Sequence, residues 1–180
     1  EATVMFADLA GFTPVSENAT PQEVAEMLES YFTHAVEAIF SAGGTLDKFV
    51  GDCVMAFFGA PVPQSDHARR AVQAAIQIQE AQEALNRERA ARGLPTLLVR
   101  IAIQSGPVMV GDVGSRKRVD YTVLGNTVNV AARLESHHQL GDLLALGVGD
   151  QPLASLQPPT RLGALAEACL PPHHMVVCRG

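Results

Sequence analysis

The stretch Gly43-Gly44-Thr45-Leu46-Asp47-Lys48-Phe49-Val50-Gly51-Asp52-Cys53-Val54-Met55-Ala56-Phe57-Phe58-Gly59 places two runs rich in β-branched and aromatic residues on either side of Gly51-Asp52. A glycine at such a junction marks a tight turn, so the stretch predicts a β-hairpin. Asp52 then stands at or beside the hairpin tip, where a carboxylate can face a ligand, and Lys48 lies on the incoming strand. Alone, these residues fit a solvated hairpin with two surface charges equally well. A second acidic strand end shifts the balance. In Val4-Met5-Phe6-Ala7-Asp8-Leu9-Ala10-Gly11-Phe12-Thr13, Asp8 closes an apolar run and a glycine-containing loop follows. Two carboxylates at neighbouring strand ends beside a glycine loop suit a divalent metal that carries phosphates. Magnesium takes a few carboxylate oxygens and completes its shell with water and phosphate.

Working outward, Thr20-Pro21-Gln22-Glu23 predicts a helix start, with Thr20 as N-cap, Pro21 in the first turn and Glu23 closing a capping box. Val24, Met27, Leu28, Tyr31, Phe32, Ala35 and Ile39 recur at helical spacing until Gly43-Gly44 stops the helix. Beyond the hairpin, Asp66 opens a longer helix running to about Arg92. Leu97 to Gln104 reads as a strand, Val108 to Val113 and Val119 to Leu124 as a second hairpin around the basic turn 114–118, and Thr127 to Glu135 as a helix. Asn129 and Arg133 stand four apart on that helix and leave one face together. They could hold a phosphate oxygen jointly, or be an exposed Arg and a tolerated Asn. His34 reads as solvated, and neither His67 nor the pairs His137-His138 and His173-His174 have ligand spacing. Met175 to Cys178 reads as a last strand. The order gives an α+β layout, helices packed on a mostly antiparallel sheet.

The 180 residues read as a single domain, with 47% hydrophobic and 18% charged residues giving enough apolar material for a core. A net charge of −6 argues against a nucleic-acid binder. It leaves nucleotides open, because metal ions can neutralise a triphosphate locally. Cys53, Cys169 and Cys178 fit neither a disulfide framework nor a zinc site; free thiols point to the cytoplasm. No apolar run is long enough to span a bilayer, so no membrane contact by the domain is expected. The chain opens almost inside a strand and reads as a domain cut from a longer protein.

Three motifs in order, Phe6 to Thr13, Asp47 to Asp52 and Asp120 to Leu134, resemble the class III nucleotidyl cyclase catalytic domain. The resemblance covers about Thr3 to Glu135 and is weak over 136–180. It implies a polymerase-palm-related, ferredoxin-like fold and a head-to-tail homodimer with active sites at the interface. It also implies conversion of a nucleoside triphosphate to the 3′,5′-cyclic monophosphate and pyrophosphate. By resemblance, Asp8 and Asp52, helped by the Leu9 carbonyl, hold two divalent metal ions, Mg2+ or Mn2+. Amides around Gly11, Phe12 and Thr13 cradle the phosphates, Asn129 orients the ribose, and Arg133 stabilises the transition state. Lys48 and Thr122 fall where the family reads the purine, and a Lys donor with a Thr acceptor matches adenine. The chain therefore resembles an adenylyl cyclase acting on ATP, with Thr122 as in the class IIIb subgroup. Guanylyl cyclases carry Glu and Cys at these two positions. A catalytically silent cyclase-like dimerisation module is the competing reading, and a diguanylate-forming palm enzyme would lack Asn129 and Arg133. The family often supplies a Lys to the triphosphate from its C-terminal strands. No Lys follows Lys117 here, leaving Arg161 or Arg179 as replacements.

Overall fold

Ala2–Ala10 forms β1, the strand around which the rest is layered, and it is buried almost throughout because both of its faces are covered. The computed structural model describes residues 1–136 and, as backbone, 147–148, 151–152 and 175–179. After β1 come α1 (Phe12–Ser16), α2 (Pro21–Ser41), β2 (Thr45–Val50), β3 (Cys53–Phe58) and α3 (His67–Ala91). Then follow β4 (Leu98–Gly106), β5 (Met109–Ser115), β6 (Arg118–Leu124), α4 (Asn126–Ser136), β7 (Gly147–Val148), β8 (Gln151–Pro152) and β9 (Met175–Arg179). Five strands make one sheet in the order β2-β3-β1-β4-β9, each pairing antiparallel. The expected α+β architecture is what the chain adopts. The last strand is also present, paired with β4.

Strand alternation divides the core into two layers. Met5, Ala7 and Leu9, with Val54, Ala56, Phe58, Val99, Ile101 and Ile103, face α2 and α3. Val4, Met55 and Phe57 face the other way, against Val123 of β6 and Ala131 of α4. Asp8 and Arg100 belong to this second face by register, as direct partners across β1 and β4. The charged residues thus emerge where α4 crosses the sheet, not among α2 and α3.

Local signals explain the element ends. The Thr20 side chain accepts from the Glu23 amide at 3.3 Å and the Glu23 carboxylate accepts from the Thr20 amide at 2.8 Å, the predicted capping box. Gly51 adopts φ 63° in the hairpin turn that holds Asp52. Three boundaries differ from the sequence reading. Phe12–Ser16 is a short helix, not a loop; Gly11 caps it at φ 78°, a conformation glycine reaches without strain. Asp8 lies inside β1 instead of at its end, because pairing with β4 continues to Ala10. The second hairpin turns on Arg116-Lys117 alone, since β5 and β6 pair out to Ser115 and Arg118.

Of the two described histidines, His34 has its side chain partly open to solvent, as its place off the helical stripe predicts, and His67 is part-buried. His34 lies 3.7 Å from Glu37. His67 Nδ1 meets Thr3 Oγ1 at 2.6 Å, and that hydroxyl also meets Ser105 Oγ at 2.7 Å, which satisfies two buried hydroxyls. His137-His138 and His173-His174 lie outside the described residues.

Gly44 marks a close approach. A Cβ there would sit 2.5 Å from the Phe58 ring and 2.9 Å from Ile39, both wholly buried. Gly44→Ala is expected to cost about 1–3 kcal/mol of overpacking, read as a lower urea midpoint with unchanged slope.

Candidate active site

Two constellations of polar side chains gather on the α4 face of the sheet. In the first, the Arg100 guanidinium bonds Asp8 Oδ2 and lies 3.1 Å from Glu135 Oε1 at the end of α4. Asp52, in the hairpin turn, is close enough for burial and then the Asp8 charge to raise its carboxyl above the usual range. Burial and then Asp8 push Glu135 up to about 7. Three carboxylates therefore crowd one guanidinium, and Glu135 Oε1 is buried without a hydrogen-bond donor. A divalent cation would relieve that excess of negative charge, and hard carboxylate oxygens are the donors magnesium takes. Among the described residues no group of three or more His, Cys, Asp or Glu could hold a metal unaided. This donor set fits an ion that completes its shell with phosphates and water.

The second constellation joins β2 to β6. A bulge between Leu46 and Lys48 breaks the alternation of β2, so adjacent Asp47 and Lys48 both reach Thr122. Thr122 Oγ1 donates to Asp47 Oδ2, and the Val123 amide lies 3.4 Å from the same oxygen. Lys48 Nζ sits 3.1 Å from Asp47 Oδ1 and 3.4 Å from Thr122 Oγ1. The Asp47 side chain is 1% exposed, whereas that of Lys48 is 42% exposed. Asp47 is the buried anchor, and the Lys48 head is the partly exposed end of the pair.

Asn129 and Arg133 are exposed on the outer face of α4, while Thr127 and Ala131 are buried on its inner face. Thr127 Oγ1 donates to the Pro107 carbonyl at 2.8 Å and fixes the start of the helix. At the other strand end, no side chain caps α1, and Gly11 leaves open space where a Cβ would be. Leu9 turns its side chain into the α2–α3 layer.

Residues 1–147 match the family model for the adenylate and guanylate cyclase catalytic domain. The chain belongs to that family. This cyclase domain is 43% identical over 135 residues to adenylate cyclase 1 of Rhizobium meliloti, covering 75% of this chain and 20% of that protein. It is 39% identical over 137 residues to the adenylate cyclase of Anabaena cylindrica, covering 74% of this chain and 26% of that protein. The chain thus spans less than a third of the length of the curated relatives it matches. Among solved structures, the adenylyl cyclase CyaB from P. aeruginosa superposes with TM-score 0.73 at 38% identity, over 77% of this chain and 72% of that one. The guanylyl cyclase Cya2 superposes with TM-score 0.71 at 40% identity, over 77% and 70%.

The fold brings Asp8 near Asp52 and Lys48 near Thr122, as the motifs predict, while the cyclase domain holds Asn129 and Arg133 out into solvent. Three site-lining residues escaped the sequence reading: Arg100, Glu135 and Asp47. Asp47 stood beside Lys48 in the quoted stretch, but strict alternation would have pointed it away. Arg100 could have been found as a charge inside an otherwise apolar strand; nothing local marked Glu135.

Cys53 lies part-buried beside the carboxylate cluster. Burial and then Asp8 push its thiol up to about 12. In metal-free protein at pH 8 the folded thiol is protonated, whereas an unfolded one ionises near its usual 8.5. Peptide mass mapping after iodoacetamide should show Cys53 spared in the native cyclase domain and alkylated in urea.

Proposed function

We propose that this domain is an adenylyl cyclase, converting ATP to 3′,5′-cyclic AMP and pyrophosphate at two composite sites of a homodimer. The ribose 3′-hydroxyl gives its proton to solvent and its oxygen attacks the α-phosphorus; the bond to the bridging oxygen breaks, and pyrophosphate leaves with its electron pair. Two divalent metal ions, Mg2+ or Mn2+, held by Asp8, Asp52 and the Leu9 carbonyl, would activate the 3′-hydroxyl and screen the triphosphate. The amides of Gly11, Phe12 and Thr13 cradle the phosphates at the uncapped start of α1. Arg100, released by Asp8 once that carboxylate turns to metal, is the cation placed to meet the triphosphate. It supplies the charge of the triphosphate Lys that the sequence lacks after Lys117. Arg179 is the register partner of Arg100 on β9, and Arg161 lies outside the described residues.

The observation that carries the choice of base is the commitment of the Thr122 proton to Asp47. With its proton spent, the hydroxyl can only accept from a ligand, as an exocyclic amine requires. Lys48 beside it can only donate, as an N1 lone pair requires. Adenine offers that pair, and guanine the reverse.

The dimer reading rests on exposure. Asn129 and Arg133 point away from the carboxylates of their own chain, so each site takes metals from one protomer and these two residues, with Lys48 and Thr122, from the other. Phe49 at 45%, Val50 at 57%, Val119 at 57% and Tyr121 at 45% exposed are apolar surface that a second copy would cover. No helix among the described residues is long and apolar enough to cross a membrane.

The test is product formation from ATP and GTP separately, with magnesium and with manganese, across protein concentrations. Cyclic AMP with specific activity rising on concentration supports the reading. Turnover of neither nucleotide at any concentration leaves the silent dimerisation module, and cyclic GMP as main product reverses the base assignment.

A further inference from the structure

Thr127, Ala131 and Glu135 succeed one another at four-residue spacing along the inner face of α4. The first is bonded to the Pro107 carbonyl, the second packs against Val4, Met55 and Phe57, and the third ends 3.1 Å from Arg100. Asn129 and Arg133 leave the opposite face of the same helix. In the two-site dimer proposed above, on which this inference rests, the two faces of α4 serve different sites. The outer face serves the site whose metals belong to the other protomer. The inner face ends on Asp8 and Arg100 of its own. An α-helix of this length moves as a rigid rod, so a shift at Glu135 is transmitted to Arg133 half a turn away.

We propose that Glu135 is a positioning residue that couples the two active sites, its ion pair with Arg100 setting the pose of the helix that delivers Asn129 and Arg133 to the partner site. When metal and nucleotide draw Asp8 and Arg100 into new contacts, Glu135 follows Arg100, and α4 is reset for the neighbouring site. The residue touches no reacting atom itself. Its influence on its own site passes through Arg100 and is felt in triphosphate binding. Its influence on the other passes through Arg133 and is felt in the transition state.

A dimer with a single working site separates these effects. One protomer carries Asp52→Ala and the other Arg133→Ala, each with its own affinity tag, and the mixed dimer is isolated through both tags. Its one complete site takes metals from the Arg133→Ala protomer and Arg133 from the Asp52→Ala protomer. Glu135→Gln is then added to one protomer at a time. In the Asp52→Ala protomer, whose own metal site is already lost, it should lower kcat about tenfold with little change in KM for ATP. In the Arg133→Ala protomer it should instead raise KM, through Arg100. Without metal or nucleotide, hydrogen exchange of the α4 amides should quicken in Glu135→Gln while the amides of α2 keep their rates. Should Glu135→Gln fail to fold, Arg100→Gln in the Asp52→Ala protomer breaks the same ion pair and must give the same fall in kcat. An unchanged kcat with that protomer altered overturns the coupling while leaving the cyclase reading intact. A reference mixed dimer without any activity overturns the two-site reading and the coupling with it.

Discussion

Asp52→Ala is expected to lower cyclic AMP formation by about 10³-fold or more, because several kcal/mol of transition-state charge stabilisation leave with the metal it helps to hold. The same substitution should not weaken the metal-free fold. The Asp52 carboxyl is raised above its unfolded value by burial and by Asp8. Such a group binds its proton more tightly in the folded state, so it opposes folding once the pH exceeds the folded pKa. At pH 7.5 the variant should therefore unfold at a temperature no lower than the parent. Magnesium with a non-hydrolysable ATP analogue should raise the melting temperature of the parent and leave that of the variant where it was. Loss of activity with loss of fold would instead mark Asp52 as a structural residue.

Exchanging the base-reading pair should move preference from ATP to GTP. Lys48→Glu with Thr122→Cys replaces a donor and a fixed acceptor by an acceptor and a weak donor, the complement of guanine. A site built to hydrogen-bond one base leaves buried polar groups unpaired with the other, so kcat/KM for ATP should fall by about 10²-fold or more. The double variant also removes the partner to which Asp47 is bonded, and Asp47 is almost wholly buried. Lys48→Glu sets a second carboxylate beside Asp47 in the single and the double variant alike, so each should turn over its better nucleotide more slowly than the parent does ATP. Competition between ATP and GTP in one reaction gives the preference directly. A double variant that still prefers ATP would contradict the assignment of Lys48 and Thr122.

Much of this arrangement was legible because it rests on local rules. The hairpin around Gly51-Asp52 follows from residue type and a glycine turn, and the start of α2 from Thr20, Pro21 and Glu23. The spacing of Asn129 and Arg133 fixes a shared helix face whatever surrounds it. What the sequence withheld depends on non-local register. Arg100 meets Asp8 because β4 pairs with β1 in one particular register, and residues 92 positions apart carry no local mark of that meeting. Glu135 reaches the same cluster only because Gly106 lets Thr127 pack tightly at the other end of α4, where a Cβ would lie 2.7 Å from its hydroxyl. Asp47 escaped through a single bulge, which turns a residue that alternation would send elsewhere. The reading of Gly11 to Thr13 as a loop failed for a related reason. Helices of one turn have too few residues for a periodic signal.

The account turns on each active site being shared between two chains, and mixing two inactive variants tests this most directly. Asp52→Ala and Arg133→Ala homodimers each lack one essential group in both sites. When equal amounts exchange subunits at random, about half the dimers are mixed, and each mixed dimer holds one intact site of two. Cyclic AMP production should rise from near zero to about a quarter of the parent rate at the same total protein. A mixture that stays as inactive as its components, under conditions where subunit exchange is shown by labelled protomers, would contradict the composite site.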